Sequence, residues 1–264
     1  MTADSRMTKA LRAEWVKLRT TPGPAWLLAG TAVLTIAVST AATAANRCPS
    51  GMSCPVDTAR LSLTGVQFGQ AVVAILAVTV ICGEYSTGMI RTTLAAIPSR
   101  AAMLTAKATL VSVLALAAAC IAVLGSLLAG RLILPGHGFT AARGFAALSL
   151  AHAPDLRAVA GSVLYLGLVA LLSIGVATIV RESAVAIGLV LGLLYLVPIV
   201  ASLIHNAVWQ RRLERYSPMA GLNIQATTGL HNLPISPWAG LGVLAGWSVA
   251  ALLAGGLVLY RRDA

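Results

Sequence analysis

Six long apolar runs dominate the sequence, and short segments that hold most of the charged residues separate them. A helix needs about 20 residues to cross about 30 Å of hydrocarbon, and each run is near or above that length. The runs lack the alternation of a membrane β-barrel, and a helix satisfies its own backbone hydrogen bonds in lipid, so we predict six transmembrane helices. Their approximate predicted bounds are Ala25–Ala45, Gly65–Cys82, Met103–Leu134, Ala158–Val180, Ala184–His205 and Trp238–Tyr260.

The composition supports this class of protein. Of 264 residues, 58% are hydrophobic and 10% are charged, whereas a soluble domain has about 25% charged residues. This balance excludes a cytosolic enzyme, a secreted disulfide scaffold and a disordered chain. The formal net charge is +11, but the basic residues flank apolar runs. We therefore expect them to orient the chain and to meet anionic lipid, and we expect no nucleic-acid partner.

The distribution of basic residues predicts the orientation in the membrane. If the N-terminus is cytoplasmic, 11 of the 19 Lys and Arg residues lie on the cytoplasmic side, in the shorter segments. Because basic residues are denser on the cytoplasmic side of membrane proteins, we predict a multi-pass protein of the bacterial plasma membrane with both termini in the cytoplasm. The residues 42–45 also resemble a signal-peptide cleavage site, but the basic leader is too long for one, so we expect the first helix to be retained.

An amphipathic helix is predicted before the first span. Leu11, Trp15 and Leu18 recur at i, i+4 and i+7, and basic residues surround the rest of the helix. Such a helix either anchors and orients the chain or acts as a lever along the cytoplasmic surface. The sequence alone favours the anchor.

The segments on the opposite side carry two features. Cys48 and Cys54 lie in one short loop with Pro and Gly between them. In an oxidising compartment we expect a local disulfide rather than a metal site, since no nearby His or further Cys completes four ligands. Residues 144–152 and 206–216 each look like a short helix on the outer surface. The arginines at 211–215 form either a solvated face or a site for an anionic substrate or lipid headgroup.

The spans lack the groups that most membrane chemistry needs. No Asp, Glu, Lys or Arg lies deep in a predicted span, which argues against an ion-coupled carrier. The sequence also has no phosphate-binding loop, no H-E-x-x-H and no G-x-S-x-G motif. We therefore predict no catalytic residue, no metal ligand and no cofactor on this chain, so any energy must come from a partner.

One cytoplasmic segment differs from a simple turn. Residues 83–100 begin with an acid at the membrane boundary, continue with apolar residues at helical spacing and stop at Pro98. A short apolar helix between two spans either inserts into a groove of a cytoplasmic partner or packs back on its own bundle. The residues alone favour neither of these two interpretations.

The whole chain resembles the permease subunits of the ABC type-2 transporter family, especially small actinobacterial ones. The most specific match is GEYSTGMIRTTL at 83–94, close to the family pattern GEY-x-x-G-x-I-R-T-T-L, followed by Pro98 and Arg100. Further matches lie at 10–20, 156–165, 236–240 and 260–264. Ser86 and Thr87 stand where relatives often carry more basic residues, which leaves the identity of the partner open.

The resemblance implies a role for each cytoplasmic element. The amphipathic helix would be a connecting helix, and the loop between the second and third spans would be the coupling helix, against which a separate ATPase subunit docks. The coupling residues would be Glu84, Tyr85, Gly88, Ile90, Arg91 and Thr92. Glu84 would pair with a basic residue either of the connecting helix or of its own segment.

The predicted protein is thus an all-α integral membrane bundle. It forms one domain over residues 1–264, with the connecting helix at 1–24, six spans at 25–260 and a cytoplasmic tail at 261–264. The resemblance implies an exporter of a lipid, peptide or antibiotic that works with a second permease copy, the same or different, and with a subunit that binds ATP and Mg²⁺. The alternative is a membrane-binding or immunity-type protein that uses no ATP.

Overall fold

The computed structural model describes residues 3–49, 54, 56–89 and 100–261. In these residues it contains helices and irregular segments and no β-strand. The α-helices are α1 (Ala3–Thr20), α2 (Pro22–Ala45), α3 (Thr58–Ser62), α4 (Val66–Ser86), α5 (Arg100–Ile133), α6 (Ala153–Val180), α7 (Ser183–Leu203), α8 (Ala207–Tyr216) and α9 (Pro237–Arg261).

Six of these helices are long and apolar enough to cross a membrane, which confirms the prediction of an all-α membrane bundle. In chain order the spans are α2, α4, α5, α6, α7 and α9. Two spans, α2 and α6, begin about one turn earlier than the apolar pattern predicts, and α9 begins one residue earlier. In all three a proline occupies an early helical position, where its missing N–H costs nothing. These prolines are Pro22, Pro154 and Pro237.

The fourth span, α6, lies at the centre of the bundle and packs against α4, α5 and α9. Small residues allow close approach there: a Cβ added at Gly175 would lie 2.5 Å from the backbone of Ala251 in α9. Polar side chains bond across helices, since the Tyr165 hydroxyl donates to the side-chain oxygen of Gln70 and Ser248 Oγ donates to the carbonyl of Leu168. The core is therefore fixed by both packing and hydrogen bonds.

The fifth span is not uniformly α-helical. Residues Gly192–Leu196 form a π-helical turn between Ser183–Leu191 and Val197–Leu203. In this turn the Tyr195 hydroxyl donates a hydrogen bond to the backbone carbonyl of Gln67 in α4. Few side chains of this span are buried, so α7 lies at the edge of the bundle.

At the end of the bundle opposite α1, loops are tied together by covalent and polar contacts. Cys48 and Cys54 are joined by a disulfide bond. Asp57 caps α3 and also accepts hydrogen bonds from the backbone amides of Thr227 and Thr228 and from the Thr227 hydroxyl. Burial raises the pKa of Asp57, but these bonds and the one from the Arg60 amide outweigh it and hold the pKa below its usual value.

Of the two outer segments predicted as short helices, one is helical. Residues 206–216 contain α8, whose N-terminal amides are capped by the side chain of Asn206. The prediction for residues 144–152 is wrong, because this segment is an irregular connection. Gly144, at φ 84°, ends a short 3₁₀ turn, and the amide of Ser149 donates instead to Asp155 in the first turn of α6.

Candidate functional site

Four charged side chains from three helices meet where α1 joins the bundle. Lys17 Nζ lies 2.8 Å from Glu84 Oε1 and 3.2 Å from Glu14 Oε1. Lys107 Nζ lies 2.7 Å from the same Glu84 oxygen and 2.7 Å from Glu14 Oε2. Each lysine thus binds both glutamates, and we call Glu14, Lys17, Glu84 and Lys107 the charge ring.

The local structure explains this geometry. Glu14 and Lys17 are three residues apart on α1 and so share one face of the helix. Glu84 lies in the last turn of α4, and Lys107 lies in the second turn of α5. The end of one span, the start of the next and the amphipathic helix are therefore joined at one point.

The charge ring is largely excluded from solvent. Glu14 and Lys107 are each 3% exposed and Glu84 is 8% exposed, while Lys17 is partly exposed. Partial burial lowers the pKa of Lys17, but its hydrogen bond to Glu84 and the charges of both glutamates outweigh this effect and hold the pKa above its usual value. The two positive and two negative charges balance, so each is compensated despite the burial.

Sequence reasoning found only part of the charge ring. It singled out Glu84, and of the two partners expected for it the structure shows the one on the helix that was predicted as a connecting helix, Lys17. Glu14 was not predicted, because the pattern of α1 is dominated by its apolar stripe and basic residues. Lys107 is one of the 11 basic residues counted above as cytoplasmic, and no partner was predicted for it, whereas its side chain is buried against Glu14 and Glu84. The available signal was a lysine inside an apolar run, where a charge needs a partner.

The predicted face of α1 is only partly in contact with the bundle. Trp15 is exposed and Leu18 is half-buried, while Glu14, at the edge of this face, is buried. The side chain of Leu11 lies outside the described part of the structure. Among the side chains of α1 that the structure describes, Glu14 and Lys17 form ion pairs with residues of the spans.

The start of the predicted coupling segment follows the charge ring directly. Gly88 has φ 71°, the left-handed conformation that lets the chain leave the end of α4 without a Cβ clash. The Tyr85 ring lies 5.2 Å from the guanidinium carbon of Arg181, which connects α6 to α7. Ile90, Arg91 and Thr92 lie outside the described residues.

A groove of about 490 Å³ opens beside the charge ring, between α1, α2 and α4. Its walls include Leu18, Leu27 and Val80, with Thr20, Thr21 and Thr79 among the polar groups. All four residues of the charge ring line it. Across residues 3–49, 54, 56–89 and 100–261, no three His, Cys, Asp or Glu side chains come together as a metal site.

The chain was compared with protein families and with curated proteins. A family model described as ABC-2 family transporter protein matches residues 10–199, well over half of the chain. The match includes α1 from its middle onward, the spans up to α7 and all four residues of the charge ring. None of the curated proteins matches the chain.

Proposed function

The chain belongs to the ABC-2 transporter family, and we propose that it exports an amphipathic or hydrophobic substrate by using ATP hydrolysed on a separate subunit. Membership makes the chain the membrane-spanning permease subunit of an ABC transporter. It also implies association with an ATP-binding subunit. We also propose that transport is outward and that the substrate is a lipid, a peptide or an antibiotic. The resemblance to actinobacterial members is part of the same proposal.

The observation that carries the proposal is the position of Glu84 in the charge ring. Glu84 ends the second span, immediately before the segment that we propose as the docking site of the ATPase subunit. Through Lys17 and Lys107 it is joined to α1 and to the third span. A movement of the docking segment would therefore be transmitted to α1, α4 and α5 through the ion pairs of the charge ring.

In the proposed mechanism two permease copies face each other, with a central pathway between their second and fifth spans. Binding of ATP and Mg²⁺ draws two ATPase subunits together, and each moves the segment that begins at Glu84. The helices joined by the charge ring then tilt together, as in a hinge or shear transition between two states. The protein lies in the bacterial plasma membrane with α1, the charge ring and both termini on the cytoplasmic side.

Purification of the tagged, full-length protein from its native membrane tests the proposal. We expect an ABC ATPase subunit to be recovered with it, and ATP-dependent accumulation of substrate when the complex is reconstituted in vesicles. A membrane-binding or immunity-type protein would instead be recovered without an ATPase and would bind its ligand equally well without ATP. That result would overturn the proposal.

A further inference from the structure

The connection between the fourth and fifth spans consists of two residues, Arg181 and Glu182. Of the non-glycine residues that the structure describes, Arg181 alone has a left-handed backbone, with φ 64° and ψ 0°. The side chain of Glu182 caps the start of α7 by accepting hydrogen bonds from the amides of Ala184 and Val185. Because α7 begins directly after this pair, the backbone angles of Arg181 help to set the direction in which α7 leaves α6.

Arginine is an unfavourable residue at this position. A left-handed residue after a helix is usually glycine, because a Cβ raises the energy of this conformation. The side chain of Arg181 adds a second cost, since its Nε and Nη2 groups are buried and form no hydrogen bond with the described residues. Such outliers cluster at functional sites, which indicates that this side chain does more than complete the turn.

The side chain of Arg181 contacts the end of the second span. Its guanidinium carbon lies 5.2 Å from the centroid of the Tyr85 ring, within the reach of a cation–π interaction. Tyr85 belongs to the last turn of α4 and follows Glu84 of the charge ring. Neighbouring residues of a helix differ in direction by about 100°, so Glu84 reaches α1 and α5 while Tyr85 reaches the connection before α7.

The contact between Tyr85 and Arg181 complements the charge ring. The charge ring joins the end of α4 to α1 and α5, and no residue of α6 or α7 belongs to it. The fifth span, α7, is one of the two that we propose to line the transport pathway. Tyr85 and Arg181 join the same turn of α4 to the residues from which this span starts.

We infer that Arg181 is a positioning residue, which passes movement of the docking segment after α4 to the fifth span. When the end of α4 shifts, Tyr85 moves the guanidinium group, and the backbone of Arg181 acts as the hinge on which α7 tilts against α6. Because the resting conformation of this hinge is strained, leaving it costs less than leaving a relaxed turn. This inference rests on the proposed function and adds the route by which the ATPase reaches the pathway.

Two substitutions separate the contact from the turn. Arg181→Gly and Arg181→Asn introduce residues that accept a left-handed backbone, and both remove the buried N–H groups and the contact with Tyr85. We expect the purified full-length permease with either substitution to unfold at the same or a higher temperature than the native chain. A clearly lower unfolding temperature in both variants would show that Arg181 serves the fold, and would overturn the inference.

The movement of α7 is measured as the distance between two spin labels. Cys82→Ala and Cys120→Ala first remove the free thiols. The labels are then attached at Leu164→Cys in α6 and Ile199→Cys in α7, which are exposed positions. The distance is recorded for the complex of permease and ATPase subunit, without nucleotide and with ATP and vanadate. We expect a shift that falls by about half or more in Arg181→Gly and Arg181→Asn.

Two further variants test whether the contact with Tyr85 causes this effect. Lysine also places a cation over an aromatic ring, so we expect Arg181→Lys to retain more of the shift than Arg181→Asn does. In a double-mutant cycle, we expect Tyr85→Leu combined with Arg181→Asn to lose no more of the shift than either substitution alone. Losses that add in the double variant would show that the two side chains act separately, and would overturn the inference.

Failure of the inference and failure of the proposed function give different results. If no ATPase subunit is recovered with the permease, the proposed function fails and the inference fails with it. If the ATPase is recovered but the label distance shifts equally in the native chain and in Arg181→Asn, the inference alone is overturned. The same conclusion follows if the complex that retains Arg181 shows no shift.

Discussion

Glu14 and Lys107 form a buried ion pair across 93 residues of sequence, with 2.7 Å between Oε2 and Nζ. The pair attaches the amphipathic helix α1 to the third span in a place that water does not reach. Removal of one partner from such a pair leaves a buried charge without compensation, which costs far more than the pair itself contributes. The stability of this junction therefore depends on charge balance within the ring.

Replacement of Lys107 by Met tests this dependence. We expect Lys107→Met to lower the free energy of unfolding by about 3–5 kcal/mol, because it leaves Glu14 and Glu84 with only one lysine. The measurement is the thermal or denaturant-induced unfolding of the purified protein in detergent. Arg131→Met on the exposed surface of the same helix is the control, and an equal loss in both variants would contradict the expectation.

Restoring the balance should recover part of the loss. In Lys107→Met combined with Glu14→Gln, one positive and one negative charge are removed, which leaves Lys17 paired with Glu84. We expect this double variant to be more stable than Lys107→Met alone. A double-mutant cycle that gives strictly additive losses would show that the two side chains do not interact.

Glu84 and Arg91 should be needed for coupling between ATP hydrolysis and transport. We expect Glu84→Ala and Arg91→Ala to insert in the membrane but to lower substrate export per ATP hydrolysed by about tenfold or more. The measurement uses the permease and its ATPase reconstituted in vesicles. Glu214→Ala, at the opposite end of the bundle, serves as control, and normal export by both variants would remove the proposed role.

Asp57 should make the outer end of the protein sensitive to acid. Its lowered pKa means that it stabilises the fold above the usual pKa of an Asp, about 3.9, and that this stabilisation is lost as the pH falls through the folded-state value. We expect Asp57→Asn to unfold at a lower temperature at pH 7 and to lose less stability on acidification. Parallel pH profiles for the two proteins would argue against this role.

The disulfide allows a test of orientation. We propose that Cys48 and Cys54 face the outside of the cell, so a membrane-impermeant maleimide should label them in intact cells only after an impermeant reductant has acted. Cys48→Ser with Cys54→Ser is the control that should abolish this labelling. Because the bond closes a loop with a separation of 6 residues, we expect its loss to cost about 2 kcal/mol.

The sequence predicts the spans well because lipid imposes a single rule on each of them. Any run of about 20 apolar residues must become a helix there, whatever its neighbours are. The ends of the spans depend on local chemistry, and α2 and α6, which have Pro22 and Pro154 at their starts, begin about a turn before the apolar pattern. The irregular segment at 144–152 was not predicted because its apolar residues do not share one surface: Phe145 contacts Phe139, Leu148 lies beside Gly130 of α5, and Leu150 is exposed.

The charge ring could be predicted only in part for a different reason. Glu84 lies in a recognisable motif. Glu14 and Lys107 belong to the charge ring only through contacts between residues that are far apart in the N-terminal half of the chain. Nothing in the local sequence states that α1 lies against the second turn of α5. A lysine in an apolar run predicts that an acidic partner exists, because a buried charge needs compensation. Only the tertiary structure identifies that partner.

The π-helical turn at Gly192–Leu196 divides the fifth span into two halves with different rotational phases. One inserted residue rotates everything beyond it by about 100° relative to a continuous α-helix, since each residue advances the helix by 1/3.6 of a turn. The contact of Tyr195 with Gln67 fixes that phase. A helix drawn from the sequence with a constant pitch would therefore assign the wrong residues of 197–203 to lipid and to any neighbouring subunit.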